Sequence, residues 1–340
     1  MLSALAITAS AADKDAEGMA YFLPKTAMKV KLLVEKTTFK PGQLAQYSSL
    51  YFKNEAKTEA DVNYRILGIS MSAEGVPDSS KMFRVLIDKR HSILNVDCGR
   101  NGVLKAINAK GLDVEEPAPF KPAPKPAPLD PHDYMSQEIL SSGNLPKMAR
   151  MVAQEIYDIR DSRNQLSRGE ADFMPKDGEQ LKLMLAQLRT QETALLQMFE
   201  GTAVKDTSEV DFDFVPQRGV QRSLLFRFSK KFGVVDADDL SGRPFYAEVA
   251  DQHVLAELPA EANVQKRSKD DLVLGVNMPG KIKVAVADGE RKVAEADVYA
   301  AQFGRVEILD GSLFGKKITS HLVIDPVTGS IVSLKTEPLE

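Results

Sequence analysis

Apolar and polar residues alternate in short runs towards both ends of the chain and take helical spacing in its middle. Residues 28–35 hold Val30, Leu32, Leu33 and Val34, an apolar run with the length of a strand. Residues 83–87 and 93–96 read as further strands. The turn at residues 99–102 (GRNG) joins Val96 to residues 103–107 as a hairpin. After the Pro41-Gly42 turn, apolar residues at 44, 47, 50 and 51 suit one short helix.

Between residues 145 and 200 the period changes. Met148, Val152, Ile156, Ile159 and Leu166 fall near one face of a helix. Leu181, Met184, Leu188, Leu195 and Phe199 do the same for a second one. Pro146 suits a first helical turn, and Asp177 with Gln180 three residues on resembles a capping box. Residues 169–178 are long enough to reverse the chain, so the two form an antiparallel hairpin. Its apolar stripe is expected to pack on a sheet or a neighbouring domain, with partner binding as the alternative.

From residue 208 onward the period-two pattern returns. Asp211 to Val215 alternates strictly, and Leu224 to Phe228 does so in its centre. Residues 245–249, 272–276, 282–287, 293–299, 306–309, 318–324 and 331–334 each have strand character. Asp288-Gly289 and residues 325–329 (DPVTG) are turn signals. The expected fold is therefore α+β: predominantly antiparallel β, sandwich- or barrel-like, with an inserted antiparallel helical hairpin. The alternating prolines of residues 116–131 (EPAPFKPAPKPAPLDP) cannot sustain a ladder and form an extended, exposed linker. The expected organisation is a β-rich region at 20–115, that linker, the hairpin at 145–200 and a β-rich domain at 208–340.

The first residues carry an address. Residues 1–12 (MLSALAITASAA) are small or apolar, and Ala9-Ser10-Ala11 has the A-x-A form of a signal-peptidase site, although no basic n-region precedes it. They read as the remnant of a signal peptide, which places the protein in the periplasm or at the cell surface. No later stretch has the ~18 continuous apolar residues of a membrane span.

Composition narrows the class. Hydrophobic residues make up 43% and charged residues 27% of the 340, and net charge is −4. That balance suits a folded protein and offers no broad basic field for nucleic acid. A lone cysteine, Cys98, allows no internal disulfide, so the core carries the stability. Cys98 precedes a turn and reads as a half-buried strand residue; a reactive thiol there would need His91 as its base.

Recognised chemistry is sparse. The chain has no P-loop, no G-x-G-x-x-G opening a helix and no H-E-x-x-H. Gly311-Ser-Leu-Phe-Gly315 has its serine in the wrong place for a nucleophile elbow. His91, His132, His253 and His321 are isolated from one another in sequence. Asp130, His132 and Asp133 form the densest metal-compatible cluster, which otherwise reads as a polar loop. Asp236, Asp238 and Asp239 resemble a calcium loop, but Leu240 stands where an oxygen ligand is needed. Asp211 and Asp213 share one strand face, the arrangement of a paired-carboxylate site or of a solvated surface. Arg160, Arg163 and Arg168, with Glu170 beyond them, suit the carbonyls and dipole at a helix C-terminus.

Four stretches then carry a family resemblance: residues 21–26 (YFLPKT), 156–178, 224–229 (LLFRFS), and the pair 301–304 (AQFG) with 325–329 (DPVTG). Taken in order, the chain resembles the DUF4831 family, exported proteins of unknown function from Bacteroides and relatives. It departs from them at residues 271–280 (DLVLGVNMPG), where the family tends towards tyrosines. The resemblance implies an exported envelope protein and supplies no catalytic residue. The function expected is a non-catalytic binding or structural/assembly module with no cofactor, whose partner is an envelope protein or glycan. The alternative is a hydrolase of an envelope or gut polymer, using carboxylates from separate strands. The absence of Trp weighs against the aromatic platform of a sugar cleft.

Overall fold

A computed structural model describes residues 18–87, 91–114, 118, 120–125, 127–175, 177–255 and 272–339. The expected signal segment lies outside them. In chain order come β1 (Gly18–Lys40), α1 (Ser48–Phe52), β2 (Asp61–Leu86), β3 (Val96–Cys98) and β4 (Leu104–Ile107). The helices α2 (Gln137–Leu140), α3 (Leu145–Arg168) and α4 (Gly178–Glu200) follow. Strands β5 (Thr202–Phe214), β6 (Arg222–Ser229), β7 (Gly233–Val235), β8 (Arg243–Asp251) and β9 (Val273–Asp288) come next. The last three are β10 (Arg291–Asp310), β11 (Ile318–Ile324) and β12 (Ile331–Pro338).

These strands build three open antiparallel sheets, ordered β2-β1-β5, β10-β9-β8-β6-β7 and β12-β11-β4-β3. No sheet closes into a barrel. Two sheets mix strands from both sides of the hairpin: β5 completes the first, and β11 pairs with β4 in the third. The cores mix likewise. Tyr21, Leu23 and Leu104 pack with Leu274, Phe314 and Leu322, while Val30, Leu32 and Val34 pack with Phe226, Phe245 and Val286.

Strand β1 is the spine of this arrangement. It is 23 residues long, against the eight of the apolar run that announces it. Its first residues enter one core, Met28 enters a second, and Val30 to Val34 enter a third. Its partner β2 runs for 26 residues, where the pattern marks only the end at 83–87 as strand. Gly68, Gly75 and Pro77 break the sequence signal within β2. An edge strand tolerates them, because no second strand pairs along its outer side. Pro77 lies opposite Pro24 beside a register shift, where the ladder is already irregular.

Other expectations shift in the same direction. The pairs 272–276 with 282–287 and 293–299 with 306–309 are two long strands, β9 and β10, joined at Gly289. Residues 93–95 precede β3 instead of forming a strand, because the Asn108 side chain takes the Leu94 and Asn95 amides at 2.7 and 3.2 Å. The short helix at 44–52 begins as a 3-10 turn, Ala45–Tyr47, before α1.

The hairpin forms as its caps dictate. Asn144 accepts from the Lys147 amide at 2.9 Å, Pro146 sits in the first turn, and Gly169 ends α3 with φ +74°. Asp177 caps α4 through the Glu179 amide. The inner stripe does not pack on a sheet, however. Val152, Ile156, Leu195 and Phe199 are buried against Leu44, Met135 and Ile139, from the segments around α1 and α2. Phe199 meets Phe52 edge-on with centroids 4.9 Å apart, and the Leu44 amide donates to Met198 O at 2.7 Å. The outer half of α4 is uncovered: Leu183 is 72% and Met184 38% exposed.

Arg160 and Arg163 also depart from expectation. Arg160 Nε donates to Glu192 Oε1 at 2.6 Å, and Arg163 donates to Glu192 Oε2. They hold the buried Glu192 of α4 across the hairpin instead of serving helix carbonyls.

Candidate binding cleft

Two of the four stretches that carry the family resemblance, residues 21–26 and the pair 301–304 with 325–329, meet at one interior joint. Thr26 of β1 is fully buried just beyond Met28, whose partner Phe214 is the last residue of β5, so β5 no longer covers that edge of β1. The Gln302 side chain takes the place of the missing strand. Its Oε1 accepts from the Thr26 amide at 3.0 Å, and its Nε2 donates to Thr26 O and Pro216 O, both at 2.9 Å. The Thr26 hydroxyl donates to Val327 O at 3.2 Å and accepts from the Ala301 amide at 3.1 Å. Asn277, buried on β9, donates to Pro24 O and Thr328 O at 2.9 Å each, and its own amide donates to Gly329 O at 2.9 Å. The stretches 21–26, 301–304 and 325–329 are thus fastened together across all three sheets.

The joint requires an outpocketing of β10. Ala300 pairs with Gly280 and Arg305 with Met278, so residues 301–304 stand opposite Pro279 alone. Gly304 makes this possible: a Cβ there would lie 1.8 Å from Met278 O. Gly329, at φ +75°, turns the β11–β12 connection towards Asn277.

Beside the outpocketing lies a large hollow, about 970 Å³, on the face of the five-stranded sheet away from the core. Pleating puts Ile282, Val284 and Val286 of β9 into the interior and Lys283 and Ala285 into the hollow. Ala250 and Ala285 supply small side chains, and Arg218, Arg222, Lys283, Lys292 and Arg305 supply positive charge. Glu248 and Asp251 are its carboxylates.

Three of the cations are held in place. Arg305 is paired with Glu307 at 2.8 Å, and Arg218 and Arg222 are held by other contacts. Arg218 Nη2 donates to Gly304 O at 3.1 Å. Arg222 lies 4.1 Å over the Tyr246 ring, donates to Gly289 O and faces Glu248 at 3.6 Å. A guanidinium has five N–H donors, so Arg218 and Arg222 both keep donors for a ligand. Asp251 turns inward to its own loop and accepts from the His253 amide at 2.8 Å.

A second hollow, about 780 Å³, lies along β1 and β5 and contains Asp211. Three of its four carboxylates are matched by lysines: Lys31 with Glu209 at 2.8 Å, Lys29 with Glu74 at 3.4 Å and Lys105 with Asp113 at 3.0 Å. Carboxylate pKa shifts run one way among the described residues. The Arg65 hydrogen bond lowers Glu35, the Lys231 hydrogen bond lowers Asp61, and Lys105 lowers Asp113. The His132 and Ser241 amides lower Asp130 and Asp239. At Asp78 burial pushes upward, but hydrogen bonds from Ser80 outweigh it.

The residues singled out in sequence do not converge. Asp130 caps a 3-10 turn, accepting from the His132 amide at 2.9 Å and meeting its ring Nδ1 at 2.8 Å. Asp133 is exposed in the same turn. Asp211 and Asp213 lie exposed on β5, and Asp239 accepts from the Ser241 amide at 2.8 Å. Cys98 is half-buried, and burial pushes its thiol pKa up. His253 lines the large hollow, whereas His321 lies in a third one beside Asn108. Among the described residues no three His, Cys, Asp or Glu side chains are grouped to hold a metal ion.

The cleft cations went unmarked in sequence because they come from separate strands. The available signal was the polar face of β9, where Lys281 and Lys283 alternate with buried apolar residues. The family model described as "Domain of unknown function (DUF4831)" matches residues 17–332. No curated protein and no solved structure matches the chain.

Proposed function

The chain belongs to the DUF4831 family, and we propose that it is a non-catalytic binding or assembly module of the cell envelope. One observation carries this reading. The two carboxylates of the large hollow are both engaged by donors, Glu248 facing Arg222 at 3.6 Å and Asp251 accepting from the His253 amide at 2.8 Å. A polymer hydrolase needs at least one carboxyl raised so that it donates a proton near neutral pH. The large hollow, by contrast, offers fixed donors suited to holding a ligand. The A-x-A site at Ala9–Ala11 supports export, and no helix among the described residues is long and apolar enough to cross a membrane.

Two measurements test the reading. Mass spectrometry of the native protein is expected to find an N-terminus near Ala12 or Asp13 in the envelope fraction. Intact Met1 in cytoplasm would remove the exported location. Incubation with envelope polymers is expected to retain the chain on the polymer with no new reducing ends or peptide termini. Product that grows with time and protein concentration would establish the hydrolase instead.

A further inference from the structure

We propose that the large hollow on the five-stranded sheet binds an acidic polysaccharide, with spaced anionic groups on a hydroxylated chain. This rests on the binding-module reading and names its ligand class. The hollow is lined by five cations and two carboxylates. Neither Lys283 nor Lys292 is held in an ion pair among the described residues. Asp297, opposite Lys283 on β10, pairs with Lys281 at 3.3 Å, and Asp288 pairs with Arg243 at 3.3 Å, so the charge of both lysines is available to a ligand.

Three features decide between anion classes. The volume of about 970 Å³ exceeds what a single phosphate or carboxylate fills and suits several linked rings. The cations are dispersed over the loop before β6 (Arg218), β6 itself (Arg222), β9 (Lys283) and β10 (Lys292 and Arg305), so they meet anions at intervals. Glu248 and Asp251 stand among them with the amides of Gln217 and Gln221. Carboxylates and amides accept from sugar hydroxyls, whereas an unbroken run of phosphates would be repelled by both acids. Arg222 already covers one face of Tyr246, so recognition runs through charge and hydrogen bonds more than through ring stacking.

Calorimetric titration of the full chain tests this with four probes of matched length. They are an oligogalacturonate, a sulfated oligosaccharide, a neutral maltooligosaccharide and a single-stranded oligonucleotide. Binding is expected for an acidic sugar, and the better of the two identifies the anion. It should weaken as salt rises. Lys283→Gln with Lys292→Gln should weaken it at least roughly tenfold, since each lysine makes a charge-assisted contact. Lys182→Glu, on the hairpin, should leave it unchanged. Unshifted melting of the double variant shows that its fold is intact; otherwise the single Lys292→Gln, at an exposed position, decides. Equal binding of the neutral sugar, tighter binding of the oligonucleotide, no binding of either acidic sugar, or full affinity in the folded variant would overturn the proposal. If those results come while the chain still sediments with envelope polymers, the ligand class falls and the binding module stands. Cleaved polymer would overturn the module itself.

Discussion

Gln302→Glu is expected to destabilise the protein by about 2–4 kcal/mol, although it changes one atom of one side chain. The Nε2 group donates to Thr26 O and Pro216 O. A carboxylate offers those carbonyls no donor and sets its own charge against both. Oε1 still accepts from the Thr26 amide, so the loss falls on the two carbonyls. The new carboxyl faces carbonyl oxygens, which raises its folded pKa. A raised acid contributes its deficit above that pKa and recovers below it. The gap to wild type should therefore narrow as pH falls towards the ordinary Glu value of about 4.3, where a protonated oxygen donates again. Denaturant melts at neutral and acid pH check both parts, and a constant gap would refute the carbonyl assignment. Gly304→Ala should be at least as damaging, because its Cβ would overlap Met278 O and force the outpocketing open.

Ile156→Ala should cost ~2–5 kcal/mol, the usual range for truncating a fully buried aliphatic side chain. Ile156 lies at the centre of the hairpin core, among Leu44, Val152 and Leu195. Leu188 is half-buried at the margin of that core, so Leu188→Ala should cost less. Leu183→Ala, at 72% exposure, should leave the melting curve in place. Thermal melting of the three variants ranks them. Equal shifts, or none for Ile156→Ala, would show that the stripe is not core.

Secondary structure was legible wherever one period held. The hairpin, the 99–102 turn, the Asp288-Gly289 turn and the antiparallel β class all follow from local spacing. Strand length did not, because Gly68, Gly75 and Pro77 read as breakers until β2 is known to be an edge. The direction in which the hairpin packs was hidden as well. An apolar stripe says that a face is covered but does not identify the cover, and here segments 44–52 and 131–140 supply it. The joint escaped for a different reason. Thr26, Gln302, Asn277 and Thr328 are polar and scattered over some 300 positions, and their roles exist only after the sheets meet. The two stretches of the family resemblance that meet there were visible in sequence, but the part they play in fastening the sheets was not.

That architectural role is the central claim, and residue-resolved amide hydrogen exchange tests it most directly. In the wild-type protein the Thr26 and Ala301 amides should be strongly protected, since Gln302 and Thr26 side chains hold them. In Gln302→Ala, Thr26 should exchange at least roughly tenfold faster, the loss expected from about 1.4 kcal/mol of local protection. The Leu32 and Val34 amides, within the β1–β5 pairing, should change no more than global stability requires. Unaltered protection of Thr26 in that variant would contradict the account.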